Sequence, residues 1–162
     1  MEKRYYLAYG SNLDVIQMKH RCPKAKPIGT ANIYDYELLF KGSKTGSYLT
    51  IEQMNGSVVP VAVWEVSPAN EKALDRYEGY PTFYYKKDVE VIMKTPGGNL
   101  EKIKAFVYIM HENRHIGVPT SAYMQTCLFG YRFFGFDKKI LLDAYRKCEE
   151  VVLNESRKTD TA

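Results

Sequence analysis

The sequence is poor in the residues that mark many specialised proteins. It holds three cysteines, Cys22, Cys127 and Cys148, widely spaced and with no CxxC pair, which excludes a dense disulfide framework and fits a reducing compartment. No run of about 18 apolar residues occurs, so no membrane-spanning helix is expected, and Met1 to Tyr9 turns polar too soon for a secretory leader. Basic side chains number 23 against 19 acidic ones, a net charge of +4, without a block of five or six like charges, so no nucleic acid partner is implied. GxSxG, GxGxxG and the P-loop pattern are all missing. The expectation is a cytoplasmic chain without membrane or nucleic acid partners.

What is present is ample material for a core: 162 residues, 45% hydrophobic and 26% charged. That composition predicts one globular domain over 1–162, with a tail from about 154 to 162 expected to fray. Strand-like alternation marks "YYLAY", "IYDYELLFKG", "SYLTIEQM" and "SVVPVAVWEV", the last two separated by Asn55-Gly56, a two-residue hairpin signal. "YYKKDVEVIMK" and "EKIKAFVYIM" flank a Pro96-Gly97-Gly98-Asn99 turn and predict a second hairpin. A first helix is expected from about Asn12 to His20, with Ser11 and Asp14 at capping-box spacing. A second has stronger signals: Ser67 as cap, Pro68 in the first turn and Gly79 as stop, which leaves Glu78 on the last turn. Two more helices close the chain. Hairpins in place of alternating βα units predict an α+β fold, a small, mostly antiparallel, barrel-like sheet flanked by helices.

The segment His111-Glu112-Asn113-Arg114-His115 satisfies the HExxH pattern of zinc peptidases. That chemistry needs a helix, so that positions i and i+4 share a face, and this segment follows a strand and runs into Gly117 and Pro119. A loop is the expected reading, with a zinc hydrolase using His111 and His115 as an alternative. The opening "AYGSNL" is a different kind of signal. A strand that turns at glycine into a helix presents free backbone N–H groups, which suit an anion or oxyanion.

Together, "AYGSNL" (Ala8 to Leu13) and "LDRYEGYP" (Leu74 to Pro81), in that order, resemble the γ-glutamylcyclotransferase-like family, with its "YGSNL" loop and its later D-x-x-E-G element. The likeness extends through "YYKKDVEV" and "SAYMQTCLFG" and covers most of residues 4–145. The resemblance implies cyclisation of a γ-glutamyl amide to 5-oxoproline, with release of an amine or amino acid and no cofactor or metal. It assigns the general base to Glu78 and the binding of a small-molecule γ-glutamyl substrate to Tyr9, Gly10, Ser11, Asn12, Leu13, Tyr85 and Tyr123. A homodimer is compatible with it, as is a non-catalytic binding module of the same fold. The chemistry sets a demand on Glu78. An amine of pKa about 8 facing an ordinary glutamate near 4.3 makes proton transfer uphill by roughly 5 kcal/mol, so the carboxyl must be perturbed. The last helical turn and the flanking Tyr77 and Tyr80 are expected to supply that perturbation.

Overall fold

The computed structural model describes residues 3–43 and 46–160. Its strands are β1 (Arg4–Ala8), β2 (Lys26–Ser43), β3 (Gly46–Val66), β4 (Tyr84–Lys94), β5 (Leu100–Met110) and the two-residue β6 (His115–Ile116). The sheet order is β3-β1-β5-β4-β2-β6, and β2 also pairs with β3. That last pairing joins the ends of a five-stranded series into a closed barrel, with β6 attached to the outer end of β2. Closure removes the free edges that would otherwise invite aggregation. All pairings are antiparallel except β1 with β5, where Tyr6 stands opposite Phe106, so the expected mostly antiparallel, barrel-like α+β architecture is the one observed.

Two local expectations are corrected. Asn55-Gly56 does not end a strand: β3 runs through it, and β2 pairs with β3 from Lys26 opposite Glu65 to Ser43 opposite Gly46. Between Tyr34 opposite Val58 and Tyr36 opposite Gln53 the register slips. There Asp35 and Gly56 both take positive φ, 63° and 86°, and the Gly56 amide donates to Asp35 Oδ1 at 2.9 Å. The dipeptide supplies the left-handed conformation that its composition promises, as a bulge that bends two long strands.

The first helix is also built differently. Ser11–Leu13 form a single 3-10 turn, and the α-helix α1 spans Val15–Arg21. Its cap is Asp14, whose carboxylate accepts from the Ile16 and Gln17 amides, and Ser11 caps nothing. By contrast α2 (Pro68–Glu78) has the capping box expected at Ser67, closed reciprocally by Asn70, and stops at Gly79 in the left-handed conformation at φ 65°. Helices α3 (Ser121–Phe134) and α4 (Lys138–Asp160) complete the chain. Residues 154–160 of the segment expected to fray are thus helical, and 161 and 162 lie outside the described residues. Among the described residues no helix is long and apolar enough to cross a membrane.

The core fills the space between barrel and helices. Leu7, Leu13, Met18, Ile51, Leu74, Phe106 and Tyr131 are fully buried within it. Gly130 of α3 lies so close to Leu13 that an added Cβ would sit 2.3 Å from the leucine Cβ. This contact presses α3 onto the 3-10 turn and holds that turn in place beside the barrel.

Candidate active site

At one end of the barrel the 3-10 turn, the end of α2 and the start of α3 surround a cavity of about 260 Å3. It is small by the standards of drug-sized sites. Tyr9, Gly10, Ser11 and Asn12 line it on one side, Glu78 on another and Tyr123 on a third. Six of the eight residues singled out in the sequence therefore meet, although 66 residues separate Asn12 from Glu78 along the chain and Tyr123 comes 45 later still.

The other two are elsewhere. Leu13 is wholly buried beneath the turn, a packing residue under Gly130. Tyr85 points away from the cavity: its hydroxyl donates to Glu112 and its ring packs on His111. Its neighbour Tyr84 lines the cavity in its place, because successive side chains of a strand face opposite sides. Residues that single-sequence reasoning missed include Tyr6, Tyr48, Phe83 and Tyr108, which complete the aromatic wall.

Three of the wall tyrosines are tied to the backbone by hydrogen bonds. Tyr9 donates to the Tyr108 carbonyl at 2.7 Å and Tyr84 to the Leu49 carbonyl at 2.8 Å. The hydroxyl of Tyr123 accepts from the Leu49 amide at 3.0 Å. Gly10 stands beneath that hydroxyl, and a Cβ there would lie 3.2 Å from Tyr123 Oη and 3.4 Å from Leu49 Cβ. A larger residue here would push the Tyr123 hydroxyl back by a few tenths of an ångström. The Ser11 and Asn12 amides have no acceptor among the described residues, since the 3-10 turn uses those of Leu13 and Asp14. They are donors without a protein partner at the rim of an aromatic pocket.

Glu78 provides the charge. Burial of its carboxyl among the tyrosines raises its pKa to about 8, against a smaller opposing pull from the Arg21 guanidinium. Among the described residues its one hydrogen-bond donor is distant, Asn12 Nδ2 at 3.5 Å. Desolvation is thus the dominant cause, as the flanking aromatics lead one to expect, with Tyr77 on the cavity wall and Tyr80 outside it, packed on Tyr108. The same low-dielectric surroundings, with the nearby carboxylate, push the phenols of Tyr6, Tyr9, Tyr84 and Tyr123 well above their ordinary values. These tyrosines are neutral hydrogen-bonding groups at any physiological pH.

The HExxH histidines are not arranged as on a helix. His111 lies in a turn, with Nε2 2.8 Å from the Pro81 carbonyl, while His115 belongs to β6 opposite Gly42. Among the described residues no three His, Cys, Asp or Glu side chains converge as a metal site would require.

A sheltered carboxyl, unused backbone donors and phenol-lined walls thus share one small cavity. Comparison with known proteins places the chain among relatives. The human and bovine proteins named Gamma-glutamylcyclotransferase are 32% identical over 136 residues and 34% identical over 104 residues. These stretches span 80% and 60% of this chain and 70% and 55% of those relatives. A solved structure described as a Gamma-glutamyl cyclotransferase superposes with a TM-score of 0.71 at 28% identity, over 91% of this chain and 87% of that one. The family described as "Gamma-glutamyl cyclotransferase, AIG2-like" matches residues 6–125, which include both the 9–13 turn and Glu78, and it is to this family that the chain belongs.

Proposed function

We propose that the protein is a cyclising enzyme that converts a γ-glutamyl amide into 5-oxoproline and a free amine or amino acid, with Glu78 as its general base. The observation that carries this reading is the Glu78 carboxyl, whose pKa of about 8 matches that of an α-amine. The uphill step of roughly 5 kcal/mol that an ordinary glutamate would face shrinks to nearly nothing.

The nucleophile is within the substrate. In its ionised form Glu78 takes a proton from the α-ammonium, and the freed nitrogen lone pair attacks the γ-carbonyl carbon to form the five-membered ring. The carbonyl oxygen becomes an oxyanion in the tetrahedral intermediate. Collapse restores the carbonyl and breaks the bond to the departing nitrogen, which leaves with the proton that Glu78 had collected; the ring nitrogen then gives up its second proton through Glu78 to the released amine, which departs as an ammonium. No covalent enzyme intermediate and no external nucleophile are needed. The task of the pocket is to fold the substrate, and a well-held intramolecular attack reaches effective molarities of ~10⁵ M or more. The neutral tyrosines close the ligand off from water, while the Ser11 and Asn12 amides provide donors for its negative oxygens.

The test is incubation of the chelator-treated protein with a panel of γ-glutamyl amides, with 5-oxoproline as the readout. The parent is expected to form it and Glu78→Gln to lose nearly all activity. Equal rates for the two would remove Glu78 as the base, and no product from any amide would remove the reading.

A further inference from the structure

Arg21 ends α1 and lies outside the cavity wall, yet three contacts bind it to the site. One arm of its guanidinium, Nη1, donates to Asn12 Oδ1, and the other, Nη2, to Gln17 Oε1 at 2.9 Å. Its plane covers the Tyr77 ring, with the central carbon 3.5 Å from the ring centroid. Tyr77 in turn shares a hydrogen bond of 3.0 Å with Ser11 Oγ. Arg21 therefore touches the turn and α2, the two elements that carry the loop donors and Glu78.

The chemistry of arginine decides how Asn12 faces. A guanidinium has donors and no acceptor, so the atom of the Asn12 amide turned toward Arg21 must be the oxygen. The amide nitrogen then points the other way, where it donates to Tyr6 Oη at 2.9 Å and toward Glu78 Oε1 at 3.5 Å. With the amide reversed, an oxygen would confront the carboxylate just when it must carry charge. From this geometry we infer that Arg21 is a positioning residue for the reaction: it locks the Asn12 amide with its N–H toward Glu78 and, among the described residues, brings a cationic side chain near that carboxyl.

The inference rests on the base role proposed for Glu78. The titratable groups that face its carboxyl are Tyr6 on β1, Tyr9 just after it, Tyr48 on β3, Tyr77 on α2, Tyr84 on β4, Tyr108 on β5 and Tyr123 on α3, with Arg21 on α1. All but Arg21 are phenols, so Arg21 is the one cation in that set, placed to favour ionised Glu78. Its two roles separate by substitution. Arg21→Gln removes the charge. Arg21→Lys keeps a charge but loses the planar fork that holds Asn12 and Gln17 together.

The experiment follows two signals in the full-length protein. One is the ¹³C carboxyl shift of Glu78 against pH, assigned by its disappearance in Glu78→Gln; the other is 5-oxoproline release from a γ-glutamyl dipeptide against pH. In Arg21→Gln both the carboxyl titration and the acidic limb of kcat/KM should move up by about one pH unit. In Arg21→Lys the titration should stay close to that of the parent while kcat falls roughly tenfold and the Asn12 side-chain N–H signals exchange faster with solvent. An unmoved titration in folded Arg21→Gln overturns the inference. Should that variant fail to fold, Arg21→Lys decides: parental kcat with parental Asn12 signals overturns it equally. If the parent makes no 5-oxoproline, the proposed function fails, and the carboxyl titration and Asn12 signals still decide the place of Arg21.

Discussion

Asp75 and Glu78 stand three residues apart on α2, near enough to share a face, and their carboxylates are treated in opposite ways. Asp75 accepts the Tyr108 hydroxyl at 2.6 Å and pairs with Lys86 Nζ at 3.0 Å. Lys86 also pairs with Glu71 at 2.7 Å, and Glu71 with Arg4 at 3.1 Å, which makes a network that fastens α2 to β1 and β4. Glu78 has one distant amide and a cation held at one remove. A carboxylate supplied with close donors serves as an anchor, whereas one enclosed by phenols keeps its proton to higher pH and remains free for exchange with a ligand. The difference between the anchor and the working group on one helix therefore lies in their partners, since the two carboxyl groups are chemically alike.

The largest effect should come from exchanging each carboxyl for its amide. Glu78→Gln is expected to lower kcat/KM by ~10³-fold, within the range for loss of a general base, and Asp75→Asn by less than tenfold. Both are read by 5-oxoproline release. A comparable loss in the two variants would mean that the network around Asp75, and not proton transfer at Glu78, limits turnover.

The same pair separates in stability against pH. In the parent, native Glu78 holds its proton up to about pH 8, while in the unfolded chain it releases it near 4.5. Across that window the native state binds more protons than the unfolded one, so the contribution of Glu78 to stability is greatest below about pH 4.5 and falls as pH rises toward 8. Glu78→Gln abolishes this decline. The variant should match the parent near pH 4.5, become more stable by an amount on the order of a few kcal/mol as pH rises, and level off above about pH 8. Urea denaturation at a series of pH values measures the gap; a gap that does not grow would mean that the carboxyl is hydrated in the folded state.

For Asp75→Asn the sign reverses. A close acceptor for Tyr108 is weakened and Lys86 keeps Glu71 alone, so a loss of about 1–2 kcal/mol is expected near neutral pH. Unfolding at pH 7 measures it. No loss of stability would remove Asp75 as the anchor and leave the comparison without its structural half.

How far this arrangement could be read in advance depended on the range of the interactions. The boundaries of α2 were legible because Ser67, Pro68 and Gly79 act within one turn of the helix ends, and Asn70 closes the box with Ser67. Pro96 to Asn99 joins β4 and β5 as its turn chemistry suggests, with the Gly98 amide bonded to the Thr95 carbonyl. Asn55-Gly56 was misleading because positive φ is the only thing such a pair specifies, and a bulge meets that need as well as a hairpin does. Ser11 and Asp14 both cap helices in general. The close packing of Gly130 on Leu13, from 117 residues away, favours a separate 3-10 turn here and leaves the capping to Asp14. In the site, the "GSN" turn and Glu78 were legible as motifs. Arg21, Tyr6 and Tyr108 were not, since their contacts cross between elements and no local pattern distinguishes them among 14 tyrosines and 23 basic residues.

The smallest effect concerns a third carboxylate. Glu112 has a close phenol donor in Tyr85, as Asp75 has in Tyr108, but the pair lies outside the cavity and Glu112 is exposed. Tyr84, the adjacent residue, has its hydroxyl bonded to the Leu49 carbonyl inside the wall. Tyr85→Phe should therefore leave kcat/KM within about twofold of the parent and stability within about 0.5 kcal/mol, as for surface changes generally. Tyr84→Phe leaves a buried carbonyl without its donor and should cost about 1–3 kcal/mol. If Tyr85→Phe instead reduces turnover more than Tyr84→Phe, ligand binding must draw the outer face of β4 into the site, and a close donor would no longer distinguish an anchoring carboxylate from a working one.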